Sequence, residues 1–102
     1  MLTFSKIYAE VLRKAWAEGG KITSETVAST IYFDGRPIPP NHRDRPKMIR
    51  NAIMTLRRMQ AEGLISNISK NGRINVYHVI SKEKLRYQIM EEIRQLFGKD
   101  FI

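Results

Sequence analysis

Cysteine is absent from this sequence of 102 residues, which excludes a disulfide framework and any thiolate metal site. No apolar run approaches the ~18 residues that a membrane-spanning helix needs, and residues 1–6 lack the basic-then-apolar layout of a signal peptide. A glycine-rich phosphate-binding loop is missing, and His42 and His78 fall in different predicted elements. We therefore expect a soluble intracellular protein, cytoplasmic or nucleoid-associated, that is not an enzyme and needs no metal or cofactor.

Acidic residues are scarce in the central third of the chain. Residues 36–73 contain nine basic side chains but only two acidic ones, Asp44 and Glu62, so this segment carries +7 of the net charge of +8. The segments on either side are close to neutral. A localised positive excess is typical of a protein that binds a polyanion, most often nucleic acid. The alternative is a basic surface that serves only solubility.

The composition otherwise indicates one folded domain over residues 1–102. Hydrophobic residues make up 42% of the chain, and a chain of this length buries roughly two-thirds of its unfolded surface. Apolar residues spaced by three and four predict helices over about 3–18, 23–32, 45–62 and 82–97. Thr23, Pro46 and Ser81 are suited to helix starts, whereas Gly19-Gly20 and Gly63 are suited to helix ends.

Each of the first three predicted helices has an apolar stripe that we expect to face the core. The stripe of the first helix consists of Phe4, Ile7, Tyr8, Val11, Leu12, Ala15 and Trp16. The second stripe consists of Val27, Ala28, Ile31 and Tyr32, and the third of Ile49, Ala52, Ile53, Leu56, Met59 and Gln60. Ile22 and Val27 also have the spacing of a hydrophobic staple around Thr23.

A β-hairpin is predicted over about residues 64–80. Asn71-Gly72 lies between two runs rich in β-formers, and both residues tolerate the positive φ of a type I′ turn. That turn would place Lys70 opposite Arg73. Lys21-Ile22 is compatible with a brief strand. Residues 34–44 contain three prolines and should form a stiff loop.

The order of these elements resembles the winged helix-turn-helix family. The residues that carry the resemblance are segments 22–31 and 49–65 and the hairpin that ends at Ile80, above all the ending Leu-x-x-Met-x-x-x-Gly-Leu-Ile at residues 56–65. The resemblance covers about residues 3–80 and implies a mainly α fold with a small β-hairpin (α+β). One departure is the connection between the second and third helices, which has about eleven residues where the family has three or four.

The resemblance implies that helix 45–62 enters the DNA major groove and that the wing at 70–73 meets the backbone or the minor groove. Arg50 is suited to guanine and Asn51 to adenine, whereas Arg57 and Arg58 should meet phosphates. The residues expected at the DNA are Arg36, Arg43, Arg45, Lys47, Arg50, Asn51, Thr55, Arg57, Arg58, Lys70, Asn71 and Arg73.

The predicted last helix, 82–97, has more apolar surface than a three-helix core obviously needs. We expect it to form a symmetric homodimer through Leu85, Ile89, Ile93 and Phe97. The alternative is that this helix packs on the first helix of its own chain.

The expected function is sequence-specific binding of double-stranded DNA by a small transcriptional regulator. The sequence does not separate this function from an accessory role in plasmid or phage partition or replication. RNA binding would require exposed aromatic rings near the basic segment, and Tyr32, Phe33 and Tyr77 are all expected in the core. A winged-helix adaptor or inhibitor of another protein would require an apolar patch, but Met54 is the one clearly apolar residue on that face.

Overall fold

The computed structural model describes residues 6–85 and 87–97. These residues form α1 (Lys6–Ala17), β1 (Lys21–Ile22), α2 (Ser24–Tyr32), α3 (Arg45–Ala61), β2 (Ile65–Asn71), β3 (Ile74–Val79), a short 3-10 helix (Lys82–Lys84) and α4 (Tyr87–Phe97). The strands form one antiparallel sheet in the order β1-β3-β2. The predicted α+β class is confirmed. None of the described helices is both long and apolar enough to cross a membrane.

The core is built from one face of each of the first three helices and from the sheet, and Ile38, Leu85 and Ile93 complete it. Its largest fully buried side chains are Leu12, Leu56, Met59, Leu64, Ile93, Val11 and Val27. Full burial of a side chain of this size contributes about 1.5–3 kcal/mol relative to exposure. The centres of the predicted stripes are therefore confirmed as core.

Three residues predicted to face inward are instead exposed. Ile7 lies in the first turn of α1 and is 43% exposed, and Tyr32 is the last residue of α2 and is 42% exposed. Both residues lie at a helix end, which extends beyond the core. Gln60, a polar residue at the border of its stripe, is also exposed in the last turn of α3. Phe4, the first residue of the predicted α1 stripe, lies outside the described residues.

The helix ends explain how α2 and α3 are delimited. The Thr23 hydroxyl accepts a hydrogen bond from the backbone N–H of Thr26 at 3.3 Å, which confirms the predicted N-cap of α2. Asp44 is the residue before α3, and Pro46 is the second helical residue. After α3, the N–H of Gly63 donates to the Gln60 carbonyl and that of Leu64 to the Met59 carbonyl. This is the Schellman pattern, with Gly63 at φ +79, and it turns the chain directly into β2.

The hairpin is confirmed, but its turn lies one residue later than predicted. Asn71 pairs with Ile74, and Lys70 pairs with Asn75. The two turn residues are therefore Gly72 and Arg73, with Gly72 at φ +66. A turn with glycine at its first central position needs a positive φ only there, so Asn71 can remain in the strand. As a result Lys70 and Arg73 do not face each other across the hairpin.

The loop between α2 and α3 is held in place by contacts of its own residues. Ile38 is only 3% exposed and belongs to the core, although the sequence reading gave this loop no core residue. The Phe33 and His42 rings meet edge to face at 5.4 Å, which joins the two ends of the loop. The N–H of Gly35 donates to the Ser29 carbonyl and so continues the end of α2. The proline-containing segment is thus held as a defined structure.

The predicted helix 82–97 is wrong as a single element. A 3-10 helix comes first, Leu85 then takes an extended backbone conformation, and α4 begins only at Tyr87. Ser81 makes no capping hydrogen bond through its side chain. The extended backbone allows Leu85 to reach the core, where it is 8% exposed.

Two residues predicted for a dimer interface are therefore occupied within their own chain. Ile93 is completely buried, Leu85 is nearly so, and α4 contacts α1. This arrangement is the alternative in which the last helix packs on the first helix of its own chain. The side chains of Ile89 and Phe97 lie outside the described residues, and a homodimer stays a prediction.

Candidate nucleic-acid interface

A basic stripe runs along the exposed face of α3. Its members are Lys47, Arg50, Arg57 and Arg58, all exposed. Their spacing of three, seven and one residues places them on one side of the helix, opposite the buried Ala52, Leu56 and Met59. The stripe extends over about 16 Å at the helical rise of ~1.5 Å per residue.

The charge of this stripe is not balanced locally. α3 contains no acidic residue, and none of the four basic side chains has an ion pair or hydrogen bond to another described residue. Met54, which lies within the stripe, is 45% exposed and is its one large apolar side chain. Four mutually repelling cations on one helix face indicate a surface suited to an anionic partner.

The hairpin supplies a second basic surface. Every residue from Ser66 to Asn75 is exposed, so the outer half of β2–β3 projects beyond the packed body. Lys70 and Arg73 lie at this projecting end, each without an ion pair to a described residue. Ile74 is 57% exposed beside them. Because β2 follows α3 after only three residues, the hairpin leaves directly from the C-terminal end of the basic helix.

The loop between α2 and α3 adds Arg36 and Arg43. Both are exposed and unpaired within the described chain. Arg36 and Arg43 lie on either side of Ile38 in the sequence. Because burial of Ile38 fixes the backbone of the loop, it also limits the positions that the two arginine side chains can reach. The described residues thus carry eight free basic groups among the predicted contacts: Arg36, Arg43, Lys47, Arg50, Arg57, Arg58, Lys70 and Arg73.

Arg45 differs from these eight because it is already paired. Its guanidinium donates to the Glu25 carboxylate of α2 at 2.7 Å. The Arg45 side chain is 32% exposed and that of Glu25 is 58% exposed, and a pair this open to solvent stabilises a protein by at most about 1 kcal/mol. The pair joins the start of α3 to α2, and it partly neutralises a cation that the sequence assigned to DNA.

Asn51 and Thr55 are also engaged within the chain. The Asn51 side-chain amide donates to the Tyr32 hydroxyl at 2.9 Å. The Thr55 hydroxyl donates to the Asn51 backbone carbonyl at 3.0 Å, which is the common bond of a threonine to its own helix. Sequence reasoning missed Tyr32 because its ring fits the apolar stripe. The hydroxyl group of Tyr32 was the signal for this contact in the sequence, since tyrosine often packs its ring against the core while its hydroxyl makes a hydrogen bond at the surface.

The two histidines make local contacts. His42 Nδ1 accepts the Asp44 backbone N–H at 3.1 Å, and His78 Nε2 lies 2.8 Å from the Ser69 hydroxyl on the neighbouring strand. Over the described ranges 6–85 and 87–97, no three residues of the His, Cys, Asp and Glu types come together in a group that could hold a metal ion.

No protein-family model matches this chain, and neither a curated protein nor a solved structure is detectably similar to it. The molecular features that bear on function are the α+β architecture and the basic surfaces described above. Those surfaces combine a regular helix, a projecting hairpin and an anchored loop.

Proposed function

We propose that this chain is a winged helix-turn-helix protein that binds double-stranded DNA sequence-specifically, as a small transcriptional regulator. In this proposal α2 and α3 form the helix-turn-helix unit, α3 is the recognition helix, and β2–β3 is the wing. The order of three helices followed by a hairpin supports the proposal. The observation that carries it is the basic stripe of α3, which has no acidic partner among the described residues.

The dimensions and chemistry of this stripe suit a major groove. An α-helix fits the groove, which is about 12 Å wide, and the 17 residues of α3 extend for about 25 Å. Arg50 can donate two hydrogen bonds to guanine, and Asn51 can exchange a pair of hydrogen bonds with adenine. Contacts to phosphate would come from the remaining free cations, including the wing residues Lys70 and Arg73. Such contacts position the protein but carry no sequence information directly.

The competing functions make different demands on the same surface. A protein-binding adaptor would need an apolar patch on α3, but Met54 is the one large apolar side chain in the basic stripe. Binding of single-stranded RNA would use exposed aromatic rings, and Tyr32 is exposed beside the stripe. RNA is therefore a necessary competitor in any binding experiment. A partition or replication accessory protein would use the same DNA surface and would differ in its other partners.

Salt dependence tests the proposal directly. Contact of six to eight cations with phosphates gives a slope of log affinity against log salt of about −5 to −7. We expect this slope in fluorescence-anisotropy titrations of a random-sequence duplex between ~50 and ~300 mM salt. A slope near zero, or tighter binding to single-stranded RNA than to the duplex, would contradict the proposal.

A matched pair of variants controls for net charge. The double change Arg57→Ala/Arg58→Ala should make the slope shallower by about 1.8, because each lost phosphate contact removes about 0.9. Lys6→Ala/Lys84→Ala removes the same charge from exposed positions outside the basic segment and should leave the slope unchanged. Equal effects of the two variants would indicate attraction to the whole protein and no specific surface.

Selection of bound sequences from a random duplex pool tests the sequence preference. A single enriched motif is expected if the chain binds as a monomer. Two inverted motifs about one helical turn apart are expected for the predicted homodimer. Recovery of unenriched sequence would limit the function to non-specific DNA binding.

A further inference from the structure

A hydrogen bond joins Asn51 of α3 to Tyr32 of α2. Asn51 Nδ2 donates to the Tyr32 hydroxyl at 2.9 Å. Tyr32 ends α2 and is 42% exposed, and Asn51 is half-buried in the second turn of α3. The two residues line an open pocket of about 210 Å³ together with Asp44, Lys47 and Met48. The bond therefore lies at the edge of the basic stripe, within reach of a ligand bound there.

The chemistry of the amide explains what this bond leaves available. A side-chain amide has two N–H donors and one carbonyl oxygen. The Tyr32 hydroxyl uses one donor. One N–H and the carbonyl oxygen of Asn51 remain, which are the two groups that pair with the N7 acceptor and N6 donor of adenine in the major groove.

We propose that Tyr32 is a positioning residue that preorganises Asn51 to read an adenine. This inference rests on the proposed DNA-binding function. A free asparagine side chain samples several rotamers and loses that freedom when it binds a base. A side chain already held in one orientation avoids that loss, which corresponds to a gain in affinity of about 2- to 13-fold. Specificity at this position therefore depends on a residue of α2 as well as on the recognition helix.

The change Tyr32→Phe tests the positioning role because it removes only the hydroxyl. The measurement is the ratio of dissociation constants for a selected duplex and for duplexes with its adenines replaced one at a time. Asn51→Ala should lower the preference for one adenine by about 5- to 150-fold. Tyr32→Phe should lower the preference at the same position by about 2- to 13-fold. In the Asn51→Ala background, Tyr32→Phe should have no further effect.

A matched control and a second readout separate positioning from general damage. Tyr87→Phe removes a hydroxyl from a tyrosine on α4 that is 75% exposed, and it should leave the adenine preference unchanged. The salt slope of Tyr32→Phe should equal that of the unchanged protein. In the free protein, the side-chain NH₂ resonances of Asn51 should shift in Tyr32→Phe and remain unchanged in Tyr87→Phe.

Several results would overturn the inference while leaving the proposed function intact. An adenine preference that survives Tyr32→Phe is one, and additive effects of Tyr32→Phe and Asn51→Ala are another. Uniformly weaker binding to all duplexes would make Tyr32 a phosphate contact instead. A flat salt slope of the unchanged protein is the separate result that removes both proposals.

Discussion

Replacement of Ile38 by alanine tests whether the loop between α2 and α3 is part of the folding unit. Ile38 is 3% exposed, and the other residues from Asp34 to Asp44 are exposed or half-buried. Ile38→Ala would remove three carbons from a packed site and leave a cavity. Buried isoleucine-to-alanine changes cost about 2–5 kcal/mol. We expect about 2–4 kcal/mol here because a loop can partly collapse into the space.

The assay is reversible thermal and urea unfolding followed by circular dichroism. For a domain of this size, a loss of 2–4 kcal/mol lowers the melting temperature by roughly 10–30 °C. A typical domain is stable by about 5–15 kcal/mol, so the variant should remain folded at 25 °C and its urea midpoint should be measurable. The dependence of unfolding free energy on urea should be unchanged if the same surface is exposed on unfolding.

Pro37→Ala is the matched control for this experiment. Pro37 is the exposed neighbour of Ile38, and its replacement acts mainly through the entropy of the unfolded chain, by about 0.4–1 kcal/mol. If Ile38→Ala destabilises no more than Pro37→Ala, the loop is not anchored through its isoleucine. Burial of Ile38 would then not be what positions Arg36 and Arg43.

Two further changes test other contacts. Glu25→Gln should steepen the salt slope of DNA binding by about 0.9, because it removes the carboxylate that neutralises Arg45 and leaves that cation available to a phosphate; an unchanged slope in the same anisotropy titration would contradict this. Gly72→Ala should cost about 1–2 kcal/mol in urea unfolding because of its positive φ. Asn71→Ala should stay within about 0.5 kcal/mol, and an equally large loss there would instead support a turn at Asn71-Gly72.

Helix positions and the core were largely predictable because they follow from local periodicity. The apolar spacing of α1 and α3 and the cap at Thr23 depend on residues that are close in sequence, and these predictions were confirmed. The last predicted helix failed for a non-local reason. The apolar spacing of the predicted helix continues through Leu85. In the structure Leu85 has an extended backbone and is buried in the core, and apolar periodicity does not indicate that tertiary packing overrides the helix at this residue.

The sequence predicts which basic residues lie on the candidate surface, but it does not predict which residues of that surface bond to other parts of the chain. The stripe of Lys47, Arg50, Arg57 and Arg58 follows from helical geometry alone. The contacts that occupy Arg45 and Asn51 come from α2, 20 and 19 residues away in the chain. Such pairs depend on how two helices cross, which a single sequence does not state.

Those same pairs join α2 to α3, which the chain links by a long connection. A helix-turn-helix unit fixes the angle between its helices by a turn of three or four residues, whereas twelve residues separate α2 from α3 here. Contacts between the two helices therefore contribute, together with the anchored loop, to how α3 lies against α2. Glu25 holds the start of α3 from the first turn of α2, and Tyr32 holds the second turn of α3 from the end of α2.

Arg45 and Asn51 of the proposed recognition helix each contact α2. A residue that contacts α2 and is also a proposed DNA contact cannot be changed for one purpose without affecting the other. The basic residues of the α3 stripe have no such internal contact to a described residue. Changes in sequence preference should therefore be obtained most easily at Lys47 and Arg50, whereas changes at Arg45 and Asn51 should also alter how α3 is held against α2.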